Sequence, residues 1–192
     1  AGASAGALVL FEKRGRSLAV AAGLAGLLWV LAGVDLGAGV FAVPSVKAID
    51  ESRVIFSRWN AFSRVTVSET PEDFYWMNID SDAATRIFKA EAAADPRAHR
   101  RFSETRLASL VYAVRHEGHA LIIGPGGGAD VLGALARGVP RVTGVELNGI
   151  IVDDVMEGHF AGASGRLYER EGVEVVVGEG RHFVRRSDQR FQ

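Results

Sequence analysis

The chain has 192 residues, a formal net charge of −1 at pH 7 and 48% hydrophobic residues. This length suits one domain with an appendage, and the near-neutral charge excludes a general attraction to nucleic acid or anionic lipid. Cysteine is absent, which excludes disulfides, thiolate metal sites and a cysteine nucleophile. The five histidines form no known ligand pattern, so the sequence predicts no metal site.

Residues 1–46 are dominated by Ala, Gly, Leu and Val, and the stretch from Leu18 to Val34 carries no charge. As a helix this stretch would be roughly 25 Å long, which approaches the ~30 Å thickness of a bilayer core. The pattern favours one or more transmembrane segments over a signal-peptide core or a buried soluble helix. Charges on both sides of the stretch leave its orientation open, because Lys13, Arg14 and Arg16 precede it and Lys47 follows it.

Residues 47–82 are predicted to form a small antiparallel β unit, and residues 83–118 a helical connection. Three segments rich in Val, Ile, Phe and Tyr carry the strand prediction: Ser52–Phe56, Ser63–Val67 and Phe74–Ile79. Apolar residues at helical spacing predict a helix over Ser103–Arg115. Five aromatic residues of the β unit are interpreted as its core or, alternatively, as an amine-binding wall: Trp59, Phe62, Phe74, Tyr75 and Trp76.

Residues 119–192 alternate between predicted strands and helices. The strands are His119–Ile123, Arg141–Glu146 and Val173–Val177, and the helices are Ala129–Arg137, Gly149–His159 and a last one from Arg181. Such alternation predicts parallel βαβ units with right-handed crossovers, which is an α/β Rossmann-like fold. Three strands make only the first half of such a sheet, and the chain does not begin with Met, so we expect a fragment of a longer protein.

A glycine-rich turn follows the first of these strands, in the order Gly124-Pro-Gly-Gly-Gly128, and a helix follows the turn. Glycines permit positive φ angles and let a ligand approach the backbone closely. Amide groups at the start of the helix then point at the ligand. We therefore predict cofactor-binding roles for Gly124, Gly126, Gly127 and Gly128.

Two acidic residues stand at the ends of the next two strands. Glu146 lies about 20 residues beyond the glycine turn, where a carboxylate can accept both hydrogen bonds of a ribose diol. Glu179 follows the third strand and is predicted to accept from an adenine amine, while the Gly180 N–H donates to the ring. The spacing Gly124-x-Gly126-x-x-Ala129 also meets a looser dinucleotide pattern, so an NAD-dependent oxidoreductase stays a competing reading.

From about Ile55 to Phe191 the chain resembles bacterial spermidine-synthase-like proteins, members of the class I methyltransferase superfamily that include forms fused to membrane segments. The resemblance is carried by the glycine turn and by four further stretches: Phe56 to Val65, Asn78 to Asp82, Val145-Glu-Leu-Asn148 and Gly178-Glu-Gly-Arg-His-Phe183. It implies a β-strand unit before a Rossmann-like domain that binds S-adenosylmethionine or its decarboxylated form. It also suggests that Asp80 and Asp82 lie over the substrate pocket, although both are also typical turn formers.

Two departures from the family bear on the reaction. The family has an Asp inside the glycine turn where this chain has Gly127, and the nearest acid is Asp130, which either substitutes for that Asp or caps the helix. The catalytic Asp of the family follows a fourth strand that this chain does not complete. No catalytic residue is therefore assigned here.

The resemblance favours aminopropyl transfer to a small-molecule amine, whereas Gly127 favours methyl transfer to another acceptor. A non-catalytic, membrane-tethered nucleoside-binding module is the third reading. Nucleic acid is not an expected partner, and a homodimer is compatible with all three readings. Because S-adenosyl cofactors are cytoplasmic, we expect the protein at the inner membrane, attached through residues 1–46, with its cofactor domain in the cytoplasm.

Overall fold

The computed structural model describes residues 17–18, 20–31, 33, 44–47, 49–94 and 110–191. The chain divides after Pro44 into two units, the second of which is Ser45–Gln192. In the first unit residues 17–18, 20–31 and 33 are helical. The five consecutive side chains from Leu27 to Leu31, which point in directions about 100° apart, are between 43% and 80% exposed. The helix is thus apolar and exposed all round.

None of the helices that the structure describes combines the length and the apolarity needed to cross a bilayer. The transmembrane prediction for residues 1–46 therefore gains no support from the structure. Residues 1–16 and 34–43 of that stretch lie outside the described part of the chain.

The second unit begins with an antiparallel β portion. Strands β1 (Ser45–Val46) and β2 (Ile49–Asp50) form a short ladder, and a 3-10 turn follows over Glu51–Arg53. A four-stranded antiparallel sheet comes next, in which sequential strands pair. Its members are β3 (Val54–Trp59), β4 (Arg64–Ser68), β5 (Phe74–Ile79) and β6 (Ala83–Phe88).

Strand β6 differs from the prediction, which placed residues 83–118 in a helical connection. The turn before it holds Asp80 and Ser81 at φ 53° and 56°, and this left-handed pair returns the chain alongside β5. Thr85 and Ile87, two positions apart in the strand, then lie on the same face of the sheet. Helices α1 (Ala90–Ala94) and α2 (Leu110–Val114) follow, and the rest of the predicted helix over Ser103–Arg115 lies mostly outside the described residues.

The remainder of the unit is a parallel sheet of order β7-β8-β9. Its strands are β7 (His119–Ile123), β8 (Arg141–Glu146) and β9 (Val173–Val177), and each coincides with a strand predicted from the sequence. The helices are α3 (Ala129–Ala136), α4 (Ile150–His159) and α5 (Gly180–Arg186), and α4 is a π-helix with non-helical angles at Gly158. The prediction of an α/β fold with parallel strands is confirmed.

The antiparallel sheet packs on the parallel portion through one of its faces. Phe160, just after α4, makes ring contacts with Phe56 of β3 and Tyr75 of β5 at centroid distances of 6.2 and 5.3 Å. Val65, Val67 and Met77 are fully buried in the same cluster as Ile151 and Met156 of α4. The two portions of Ser45–Gln192 therefore share one hydrophobic core, which fixes the antiparallel strands relative to the parallel sheet.

Candidate functional site

The predicted site residues gather at one edge of the parallel sheet. Since the three strands run in the same direction, their carboxyl ends meet there, and this edge is where open α/β sheets bind ligands. Gly124 follows β7 directly, Glu146 is the last residue of β8, and Glu179 lies two residues beyond β9. The glycine turn and the two acids therefore share one edge, as the sequence predicts.

Gly124 leaves the backbone of the turn open on one side. Its φ is +70°, a left-handed angle that side chains seldom adopt, and a Cβ built on it would meet no heavy atom within 4 Å. Space without a neighbouring atom beside a strand end is what a closely approaching ligand needs. Gly124 thus fits its predicted place in a ligand cradle.

Gly127 and Gly128 meet a packing requirement that the sequence analysis did not foresee. A Cβ on Gly127 would lie 2.3 Å from the carbonyl oxygen of Arg86 in β6, and one on Gly128 would lie 2.4 Å from Leu167 Cδ2. Both distances are far below van der Waals contact. These two glycines let the turn pack against β6 and the 3-10 turn Leu167–Glu169, so their presence does not by itself indicate a ligand.

Glu146 is the buried acid of the site, with only 6% of its surface exposed. Its Oε2 accepts a hydrogen bond from the Gly126 N–H at 3.2 Å, and its Oε1 accepts one from the Asn148 N–H at 3.1 Å. One backbone donor at each oxygen fixes the plane of the carboxylate and leaves each oxygen a second lone pair. A fixed carboxylate with two remaining acceptor positions matches the two hydroxyls of a diol.

Tyr168, which the sequence analysis did not single out, supports the glycine turn through a hydrogen bond. Its hydroxyl donates to the Gly126 carbonyl oxygen at 2.6 Å, and the residue is 3% exposed. Burial, together with the charge of Glu146, raises the pKa of the Tyr168 hydroxyl well above its usual value. The phenol is therefore a permanent donor, and Gly126 is held by Glu146 through its N–H and by Tyr168 through its carbonyl.

Glu179 is the N-cap of α5. Its carboxylate accepts from the backbone N–H groups of Arg181 and His182 at 3.0 and 2.7 Å, and these hydrogen bonds lower its pKa. This is the capping contact of an acid at a helix N-terminus. The predicted contact of Glu179 with an adenine amine stays a prediction, and the carboxylate would have to use its remaining lone pairs for it.

Gly180 and Asp130 each have a structural role besides the cofactor-binding role that the sequence predicts. A Cβ on Gly180 would lie 2.6 Å from Ile123 Cγ2, so a larger residue at the start of α5 would displace the Ile123 side chain. Asp130 lies in the first turn of α3, where a negative charge interacts favourably with the helix dipole. Burial raises the pKa of the Tyr112 hydroxyl and the Asp130 charge adds to this, which places Asp130 in electrostatic reach of α2.

Asp80 and Asp82 have partners within the antiparallel portion. Asp80 Oδ1 accepts from the Arg64 N–H at 2.8 Å, and Asp82 forms a 3.8 Å ion pair with Lys47. These contacts fit the reading of both residues as turn formers. Nothing in them brings either carboxylate to the glycine turn.

Three apolar residues at the same sheet edge were missed by the sequence analysis. Ile123, Leu147 and Val177 are 55%, 58% and 46% exposed, and each ends or directly follows one of the parallel strands. Apolar side chains that border a polar group in this way are typical of ligand sites. Their position in the sequence could have indicated them. A residue at or just after the end of a parallel strand lies at the carboxyl edge of the sheet, whatever its polarity.

Comparison with known proteins identifies the fold. Among solved structures, the spermidine synthase from Thermotoga maritima superposes with a TM-score of 0.53 at 18% identity, covering 72% of this chain and 45% of that one. A spermidine synthase in complex with the transition-state analogue AdoDATO superposes with a TM-score of 0.50 at 19% identity, covering 69% and 42%. About 70% of the chain therefore has a spermidine-synthase-like fold.

The chain spans less than half the length of these two solved structures. No protein-family model matches the sequence, and no curated protein matches it. At such low identity the likeness concerns the fold.

Proposed function

We propose that this protein binds an S-adenosyl cofactor at the carboxyl edge of its parallel sheet and transfers a group from it to a small-molecule acceptor. The observation that carries the proposal is the carboxylate of Glu146, which is buried and oriented by the Gly126 and Asn148 N–H groups at 3.2 and 3.1 Å. Ribose is the part of a nucleoside cofactor that offers a matching pair of donors.

In the proposed complex Glu146 holds the ribose, the open backbone at Gly124 receives the methionine-derived portion, and Ile123, Leu147 and Val177 form an apolar border for the base. The Gly180 N–H and Glu179 would meet the polar edge of the adenine. When bound, the cofactor would supply an electrophilic carbon next to its sulfonium for in-line attack by a nucleophilic acceptor, and its sulfur would leave as a neutral thioether. The contribution of these residues is to orient the cofactor toward that attack.

The first form of the proposal is aminopropyl transfer from decarboxylated S-adenosylmethionine to an amine. It is supported by the spermidine-synthase-like fold, since both solved structures to which the chain is similar are spermidine synthases. The exposed aromatic residues Trp59 and Phe62 (71% and 60%) are suited to contact a cationic amine.

Methyl transfer from S-adenosylmethionine is the second candidate, and a specific observation favours it. The position that carries the acid in spermidine synthases is Gly127 here, and a side chain at this position would collide with the Arg86 carbonyl oxygen at 2.3 Å. The turn therefore has no room for a carboxylate at that position to pair with the primary amine of a decarboxylated cofactor.

Isothermal titration of the protein with S-adenosylmethionine, its decarboxylated form and NAD tests the proposal. We expect an S-adenosyl ligand to bind and NAD not to bind. Tighter binding of the decarboxylated form supports aminopropyl transfer, and tighter binding of S-adenosylmethionine supports methyl transfer. Binding of NAD alone would overturn the proposal, and binding of none of the three would leave a non-catalytic module as the reading.

We also propose that the N-terminal helix attaches the protein to the inner membrane, with the second unit in the cytoplasm. Support comes from the helix itself, whose Leu24, Trp29 and Val30 side chains are 57%, 80% and 62% exposed. A helix with apolar side chains on every face buries them in lipid more completely than in a groove on a protein. Flotation with phospholipid vesicles should recover the intact protein with the lipid, and recovery should fall when Leu24, Trp29 and Val30 are replaced by serine. Equal recovery of this variant would contradict the proposal.

A further inference from the structure

A buried asparagine connects the acid of the site to a turn of the antiparallel sheet. Asn148, two residues after Glu146, is 3% exposed. Its Oδ1 accepts from Asn60 Nδ2 at 2.8 Å, and its Nδ2 donates to Ser63 Oγ at 2.9 Å. The Oδ1 also accepts from the Ile150 N–H at 3.2 Å, at the start of α4. The side chain therefore uses its acceptor twice and its donor once, in a buried place where lost partners are costly.

The partners of Asn148 organise the turn between β3 and β4, residues 60–63. Asn60 Oδ1 accepts from the backbone N–H groups of Phe62 and Ser63 at 3.1 and 2.9 Å. The Asn60 N–H closes the turn on the Ser63 carbonyl oxygen at 3.0 Å. One amide side chain thus holds the shape of the 60–63 turn, and the same amide is bound to Asn148.

The 60–63 turn presents aromatic surface to solvent. Phe62 lies within it and Trp59 immediately before it, at 60% and 71% exposure. Other aromatic residues of this sheet, such as Phe74 at 8% exposure, are packed in the core. The turn therefore carries exposed aromatic side chains that its own sheet does not bury.

We propose that Asn148 is a positioning residue that ties the 60–63 turn to the end of β8 at Glu146, so that the two hold their places together. Its backbone N–H orients the Glu146 carboxylate at 3.1 Å, and its side chain fixes the turn that bears Phe62. A ligand held by Glu146 then meets an aromatic turn whose place is already set, so that binding at the acid and order in the turn are coupled. This coupling to a ligand rests on the proposed cofactor site, whereas the bridge itself does not.

Hydrogen exchange in the intact protein, followed by mass spectrometry, tests the inference. Asn148→Ala removes both side-chain bonds to the turn and keeps the N–H to Glu146, so exchange at Phe62 and Ser63 should accelerate by about tenfold or more, as for the loss of one or two buried hydrogen bonds. In Asn148→Asp the carboxylate can accept from Asn60 Nδ2 and from a rotated Ser63 hydroxyl, so slow exchange at the turn should return. Exchange in β7 and β8 should be the same in all forms and serves as the internal control.

Adding S-adenosylmethionine separates this inference from the proposed function. The ligand should slow exchange at Phe62 and Ser63 in the natural protein and in Asn148→Asp, and leave it unchanged in Asn148→Ala. Unchanged exchange at the turn in ligand-free Asn148→Ala would overturn the inference. If the turn accelerates in Asn148→Ala and no S-adenosyl ligand binds any form, the proposed function fails and the positioning role stands.

Discussion

Replacing Glu146 with glutamine is expected to weaken S-adenosyl binding by about 100-fold or more. This corresponds to the loss of one or two hydrogen bonds to a charged group. Glutamine has the same shape but only one acceptor oxygen. Its NH2 group would face either the Gly126 N–H or the Asn148 N–H, both of which now donate to the carboxylate. The substitution therefore removes the proposed diol acceptor and also disturbs the turn in which the rest of the ligand is proposed to lie.

Isothermal titration of Glu146→Gln against the natural protein measures this effect. Glu174→Gln is the matched control, since Glu174 is an exposed acid in the neighbouring strand β9 and the substitution removes the same charge. A near-unchanged far-ultraviolet circular dichroism spectrum would show that Glu146→Gln is folded. Binding by folded Glu146→Gln as tight as in the natural protein would remove Glu146 from the site and with it the observation on which the proposed function rests.

The parallel sheet and the candidate site at its carboxyl edge could be predicted because their signals are local. Strands β7 and β9 are short runs rich in Ile or Val that are followed by glycine, and β8 carries Val142 and Val145 and ends in an acid. Position along the chain therefore already placed Gly124, Glu146 and Glu179 at one edge. Strand β6 was missed because it begins with two alanines and depends on the left-handed residues Asp80 and Ser81 for its pairing. Its alanine content is as compatible with a helix as with a strand.

The supports of the site could not be predicted, because they join residues that are distant in sequence. Asn148 binds Ser63 across 85 positions, and Tyr168 binds Gly126 across 42. Neither pairing follows a period of the sequence, since each exists only after the antiparallel sheet has packed on the parallel portion. The same packing places other residues against Gly127 and Gly128. The glycines that were interpreted as one cradle are therefore of two kinds: Gly124 leaves space for a ligand, and Gly127 and Gly128 allow close packing.

Replacing Gly127 with aspartate should destabilise the protein rather than supply an acid for a decarboxylated cofactor. The new Cβ would stand 2.3 Å from the Arg86 carbonyl oxygen and 3.1 Å from the Ile87 nitrogen, so the turn or strand β6 must shift. Overpacking of this kind costs about 1–3 kcal/mol, and a carboxylate without a partner in a buried position adds to it. A total of about 3 kcal/mol lowers the melting temperature by roughly 10 °C in a chain of this size.

Thermal unfolding of three variants separates the contributions. Gly127→Ala should show the steric part alone, and Gly127→Asp should show a larger decrease. Gly162→Ala is the matched control, because Gly162 is exposed and a Cβ there meets nothing within 4 Å, so its melting temperature should stay close to that of the natural protein. If Gly127→Asp melts like the natural protein and binds the decarboxylated cofactor more tightly, then the turn is more adaptable than its contact with Arg86 indicates. The argument for methyl transfer would then lose its support.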